Sequence, residues 1–366
     1  MRLEFIDGLR GIFSLSVVLH HYDLIFFQIS PYDTYIFFVG VCGFFIINGF
    51  IFGYLFWKKN SSDYLTSVAL RRYFRLTVLP LSSILMVYLF LKCDFFFLHE
   101  FTKFTTTPNW VTAFYNFAPS LKDALHEGLW KMYFSYSQTD SYNPVLWTMQ
   151  YSLKGSFLAL AFLALFGKVK NRAPLYLIFA VLTILIDVAY FTFLFGIWLS
   201  DKIFNENPAP KVGIWGNFLM IMLFLAGIFF VWYSNGTAIT LYDKMNFPIF
   251  QAAGISHVIF YHIIGAAMIV FAVSRSEVLR KIFSAKFLTK VGSHSFALYV
   301  LHIPILFSVG GFIFLKAING GLSFAASVIL SSTAALSATV LAVILLYKFV
   351  DVPAGKLAKR IEKIFY

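Results

Sequence analysis

Two ionisable side chains stand where an apolar chain has least use for them. In "DGLRGIFSLSVVLHHY", residues 7–22, Arg10 opens an apolar run and His21 follows eleven residues later. In a helix that spacing is three turns plus about 20°, so both lie on nearly one face, about 16 Å apart along the axis. His20 points about 100° away. A guanidinium at one end of such a face can hold an anion, and an imidazole deeper in it can move a proton or act as a nucleophile. Both residues also have plainer uses, as a topology anchor and as a packed, hydrogen-bonded ring.

Three more clusters have the same double character. In "VALRRYFRLTVLP", residues 68–80, Arg72 and Arg75 share a helix face and Arg71 points elsewhere. Arginine forks fit phosphate, and basic residues at a helix start also fix orientation in a membrane. "YNPVLWTMQYSLKGSF", residues 142–157, begins with a turn at Asn143 and Pro144. It places Trp147 as an interfacial anchor and continues with Thr148, Gln150, Ser152 and Lys154. This is a polar cavity wall, or a plain helix with a snorkelling lysine. In "GSHSFALYVLHIPILF", residues 292–307, Ser295, Tyr299 and His302 fall at i, i+4 and i+7 on one face, as a polar lining or a structural stripe. His257 and His262 are five apart, a poor metal spacing, and read as structural. Cys42 and Cys93 imply neither a metal site nor a disulfide. The Asp351-Val352-Pro353 run reads as a helix end.

The elements that must position these residues are membrane helices. The chain has 366 residues, 60% hydrophobic and 13% charged, about half the charged share of a soluble domain. Runs of roughly 20 apolar residues predict an all-α bundle of about ten spans, near 9–28, 36–57, 75–97, 146–167, 173–188, 190–203, 213–234, 248–273, 293–315 and 323–348. The fifth and sixth are one long helix or two short ones broken near Asp187. The net charge of +12 would suggest nucleic acid in a soluble protein, but here it reports topology. Alternate loops and both termini hold 22 of the 29 basic residues, which puts those loops and both ends in the cytoplasm and argues against a nucleic-acid partner. No cleavable signal is evident, so the first helix reads as a retained anchor.

The bundle takes up residues 1–350, leaving a short basic cytoplasmic tail, 351–366. Its largest loop, 98–145, lies outside. There Leu121, Leu125, Leu129 and Trp130 form an apolar stripe, lying at the membrane interface or packed over the bundle mouth. Asn60-Ser-Ser and Asn235-Gly-Thr match the glycosylation pattern. Walker, dinucleotide, zinc and GxSxG motifs are absent, which argues against an ATPase-driven pump.

In order, these stretches resemble acyltransferase family 3, a family of integral-membrane acyltransferases. "FIDGLRGIFSLSVVLHHY" is similar to its opening Arg and His, here Arg10 and His21; "GFFIINGF" (43–50) to its second-span motif; and "RRYFRLTVLP" (71–80) to its Arg-x-x-Arg segment. "FLFGIWLSD" (193–201), "GSHSFALYVLHIP" (292–304) and "FVDVP" (349–353) resemble its later motifs. The family has Glu five residues after its Trp where this chain has Ser152, and prefers Ser where this chain has Asn48. The esterase-like domain fused to some members is missing, so transfer would end within the membrane domain or be completed by a partner envelope protein.

The resemblance implies transfer of an acyl group, by default acetyl, from cytoplasmic acyl-CoA to a hydroxyl of an extracytoplasmic glycan or glycolipid in a bacterial inner membrane. It places Arg10, Arg72 and Arg75 on the CoA phosphates and makes His21 the catalytic base or a transient acyl carrier. Trp147, Ser152, Tyr299 and His302 would line the cavity or acceptor site. Acyl-CoA enters as a substrate; no metal and no resident cofactor is implied. Export of a glycan, lipid or small acid without acyl chemistry, and a non-catalytic scaffold, are the rival readings.

Overall fold

The computed structural model describes residues 3–27, 36–59, 61–105, 109–205, 212–232, 244–245, 247 and 256–362. Among these there is no strand. The main helices are α1 (Glu4–Tyr22), α2 (Ile36–Lys59), α3 (Ser62–Lys92), α4 (Leu121–His126), α5 (Thr148–Phe166), α6 (Ala173–Ile186) and α7 (Val188–Phe204). They continue with α8 (Ile214–Val231), α9 (His257–Arg275), α10 (Ser295–Ile305), α11 (Gly311–Asn319), α12 (Phe324–Leu346) and α13 (Val352–Glu362). Seven helical stretches among the described residues are long and apolar enough to cross a membrane, as a multi-pass protein requires. The expected segments at α1, α6 and α7 are helical too. However, α1 carries Glu4, Asp7 and Arg10, and α6 and α7 have only 14 and 17 residues. Residues 28, 233–234 and 248–255 of the expected spans, with Asn60 and Asn235, lie outside the described residues.

The described chain forms two compact units. The first comprises Met1–Val17, Ser30–Ala69 and Lys154–Ser293; the second comprises Val18–Ile29, Leu70–Leu153 and His294–Tyr366. In the first, α2 lies almost backbone to backbone against α7. A Cβ on Gly49 would sit 2.0 Å from the Phe193 carbonyl oxygen, and one on Gly196 would sit 2.0 Å from that of Ile46. Small residues allow this approach, and packing is what holds helices together where lipid removes the hydrophobic drive. The motif glycines at 49 and 196 are therefore packing residues. The chain breaks between α6 and α7 at Asp187, whose extended backbone ends one helix and whose carboxylate caps the next at the Ala189 N–H. Below them Arg172 makes a two-pronged pair with buried Asp201 at 2.7 and 2.8 Å, and Tyr176 and Asn205 also donate to that carboxylate.

In the second unit, α4 continues through a π turn, Glu127–Lys131, to Phe134 and packs along α3. Tyr73 OH donates to the Leu129 carbonyl, the Thr77 and Tyr133 hydroxyls meet at 2.9 Å, and Gly128 lies on Leu81. The 120–134 segment thus runs beside a membrane helix. The sequence stripe is its outer face: Leu121, Leu125, Leu129 and Trp130 are exposed, while Ala124, Glu127, Gly128 and Tyr133 are buried. Periodicity marks an apolar face but not its neighbour, and around a membrane protein the medium itself is apolar.

The C-terminus departs from the expectation. The helix does not end at Asp351-Val352-Pro353; a π turn, Tyr347–Asp351, carries α12 into α13. Pro353 therefore falls inside a continuous helix, where it supplies no N–H to the preceding turn. Further π turns follow α1 (Asp23–Phe27) and α10 (Leu306–Gly310). Such turns concentrate at functional sites, and two of the four among the described residues lie just past the candidate histidines.

Candidate active site

The second unit brings His21 and His302 together. His302 Nε2 lies 3.2 Å from His21 Nδ1, with ring centroids 5.0 Å apart. His302 is fully buried and its Nδ1 sits 3.3 Å from the Leu298 carbonyl oxygen. A carbonyl only accepts, so this contact selects the His302 tautomer with its proton on Nδ1. His302 Nε2 is then the acceptor, His21 Nδ1–H the donor, and His21 Nε2 the nitrogen that keeps a lone pair. One backbone carbonyl thus orients two imidazoles in series, as an orienting group does in a catalytic triad.

Pro304 explains why α10 is bonded from outside at this point. A proline at 304 supplies no N–H to the carbonyl of residue 300, four positions earlier. That carbonyl is taken by Asn143, whose Nδ2 donates to Val300 O at 2.7 Å and to Ser83 Oγ at 3.0 Å. Tyr299 OH donates to the Val145 carbonyl, and its oxygen lies 2.9 Å from the Thr148 hydroxyl. Ser295, Tyr299 and His302 are all buried, but so is every residue from Tyr299 to Ile305, so α10 is enclosed on all sides and the stripe is the part of it that carries polar groups.

Of the polar start of α5, Thr148 and Ser152 are buried one turn apart, whereas Lys154 is exposed, the snorkelling alternative. Trp147 is half-buried with its ring edge-on to Tyr151 at 5.9 Å. Ser141 Oγ and the Tyr142 N–H donate to the two oxygens of buried Glu127, at 2.5 and 2.9 Å. Burial pushes the Glu127 carboxyl up to about 7, against those hydrogen bonds and the nearby Lys131. Sequence reasoning missed Glu127 because its partners lie on a non-helical return with no readable period. It read Asn143 only as a turn residue, although Pro304 already advertised an acceptor in need of a donor.

Each arginine is described within its own unit. Arg10, in the first unit, lies 4.0 Å from Asp7. Arg72 is half-buried on α3, and Arg75, one turn on and more exposed, pairs with Asp351 at 3.2 Å. Asp351 is thus the partner that the closing motif supplies to the Arg-x-x-Arg segment. Among the described residues, no three His, Cys, Asp or Glu side chains converge to hold a metal.

The multi-pass protein thus joins a half-buried imidazole, His21, to a buried one, His302, and such a pair has the chemistry to accept and pass a proton. A family model described as an acyltransferase domain matches residues 3–348, and the chain belongs to that family, acyltransferase family 3. Comparison with curated proteins and with solved structures returned no match.

Proposed function

We propose that this membrane acyltransferase moves an acyl group, by default acetyl, from cytoplasmic acyl-CoA to a hydroxyl of an extracytoplasmic glycan or glycolipid. The observation that carries the reading is the chain from the Leu298 carbonyl through His302 to His21, which directs a basic nitrogen of His21 away from its orienting partner. His21 Nε2 takes the acceptor proton as the hydroxyl oxygen attacks the thioester carbon. The carbon–sulfur bond then breaks and the proton leaves with the CoA thiolate. Arg10, Arg72 and Arg75 serve as phosphate ligands, since guanidinium forks match phosphate oxygens. Trp147, Ser152, Tyr299 and His302 belong to the wall beside the reacting groups. A ten-span topology with both ends in the cytoplasm of a bacterial cell supplies donor and acceptor from opposite sides.

The test is transfer of label from radiolabelled acetyl-CoA in membranes carrying wild type or His21→Ala, with a cell-envelope extract as acceptor. Label in glycan or lipid with wild type alone supports the reading. Equal label with both variants removes His21 from the chemistry, and no thioester consumption by wild type leaves export or scaffolding as the better account.

A further inference from the structure

The proposed transfer depends on where the His302 ring stands. Residues 141–148 grip α10 close to that ring, at Val300 through Asn143 and at Tyr299 through Val145 and Thr148. Residues 141–143 are not helical, so they have no internal hydrogen-bond ladder to hold them. Glu127 holds them instead. Its oxygens receive the Ser141 hydroxyl and the Tyr142 amide, and Ser141 Oγ in turn accepts from the Asn143 amide at 3.0 Å. Among the described residues of this unit, Glu127 is the only buried carboxylate.

We propose that Glu127 is a positioning residue of this enzyme, fixing residues 141–143 so that Asn143 and Val145 hold α10 with His302 at hydrogen-bond distance from His21. The role rests on the acyl-transfer reading. A carboxylate suits it because two donors converge on one group. A carboxamide can accept only through its oxygen and presents an N–H to the second donor, leaving that donor buried and unmatched. The groups facing Glu127 are Ser141, Tyr142 and Asn143 from the return, Lys131 from its own segment, and Tyr115 and Tyr136 from the neighbouring loops. No cation approaches closely enough to form an ion pair with it among the described residues, so hydrogen bonds carry the constraint.

The experiment compares wild type, Glu127→Gln and Ser141→Ala as full-length protein in bilayers. Two readouts are needed: acetyl transfer with varied acetyl-CoA, and 15N-histidine NMR of the hydrogen bond joining His21 and His302, assigned by its loss in His302→Ala. Glu127→Gln is expected to lower kcat roughly tenfold or more, as misplaced reacting groups do, to leave the KM for acetyl-CoA unchanged, and to abolish the histidine hydrogen-bond signal. Ser141→Ala, which removes one donor and keeps the carboxylate, is expected to change both in the same direction but less. Wild-type values of kcat and signal in Glu127→Gln overturn the proposal. If that variant fails to fold, an unchanged signal in Ser141→Ala overturns it. Loss of the signal in the variants, with no acyl transfer by wild type, keeps the positioning role and discards the acyl-transfer reading.

Discussion

Arg75 and Asp351 are 276 residues apart in sequence and 3.2 Å apart in the fold. The pair joins α3 to the π turn before α13, so the carboxylate already occupies one edge of the guanidinium proposed to meet a phosphate. An exposed pair of this kind contributes little to stability. Its effect should appear in anion binding. Arg75→Ala weakens CoA binding in a calorimetric titration, and Asp351→Asn tightens it, up to about fivefold. Unchanged CoA affinity in Arg75→Ala removes Arg75 from the donor site.

His302 acts through His21, so the two substitutions should not add. His21→Ala abolishes acetyl transfer, His302→Ala lowers kcat by about a hundredfold, and the double variant matches His21→Ala. Additive losses would mean that the rings work independently.

The Glu127 carboxyl gives a signed pH dependence. Its folded-state value is raised from 4.5 to about 7 by burial, so between those values the folded protein holds a proton that the unfolded chain has released. The stability it contributes is complete below about 4.5, falls as pH rises through about 7, and is flat above. Melting in detergent across this range should show that fall in wild type relative to Glu127→Gln. A difference that grows toward high pH would contradict it.

The Arg172–Asp201 pair is nearly fully buried, with side chains 5% and 0% exposed. Removing one partner strands a charge, so Arg172→Ala should cost about 3–5 kcal/mol. Arg172→Met with Asp201→Leu should recover part of it, because a packed apolar pair replaces a desolvated one. Thermal melts of the three proteins decide this, and a near-wild-type melt for Arg172→Ala refutes it.

What could be read from the sequence was whatever depends on one helix at a time. The buried Ser295–Tyr299–His302 face, the break at Asp187 and the polar entry to α5 follow from period and turn chemistry. Pairings between distant segments could not be read. Nothing in the spacing of His21 and His302 says that the rings meet, and nothing in "FVDVP" names Arg75 as the partner of Asp351. The stripe at Leu121–Trp130 was legible as an apolar face, but what it faces was not, because an apolar face signals the core only when the surroundings are water. Glu127, one turn from that stripe, faced the protein and carried the polar contacts.

The short reach of α6 has a mechanical consequence. Fourteen residues rise about 21 Å, against a hydrocarbon core of about 30 Å. Leu185 and Ile186, at the end of the rod, are largely exposed, and the next residue is the charged joint at Asp187. In the ten-span topology proposed above, a rod this short crosses only where the bilayer thins, so that topology implies a lipid-length dependence at this corner, with long-chain lipids resisting it more than short-chain ones.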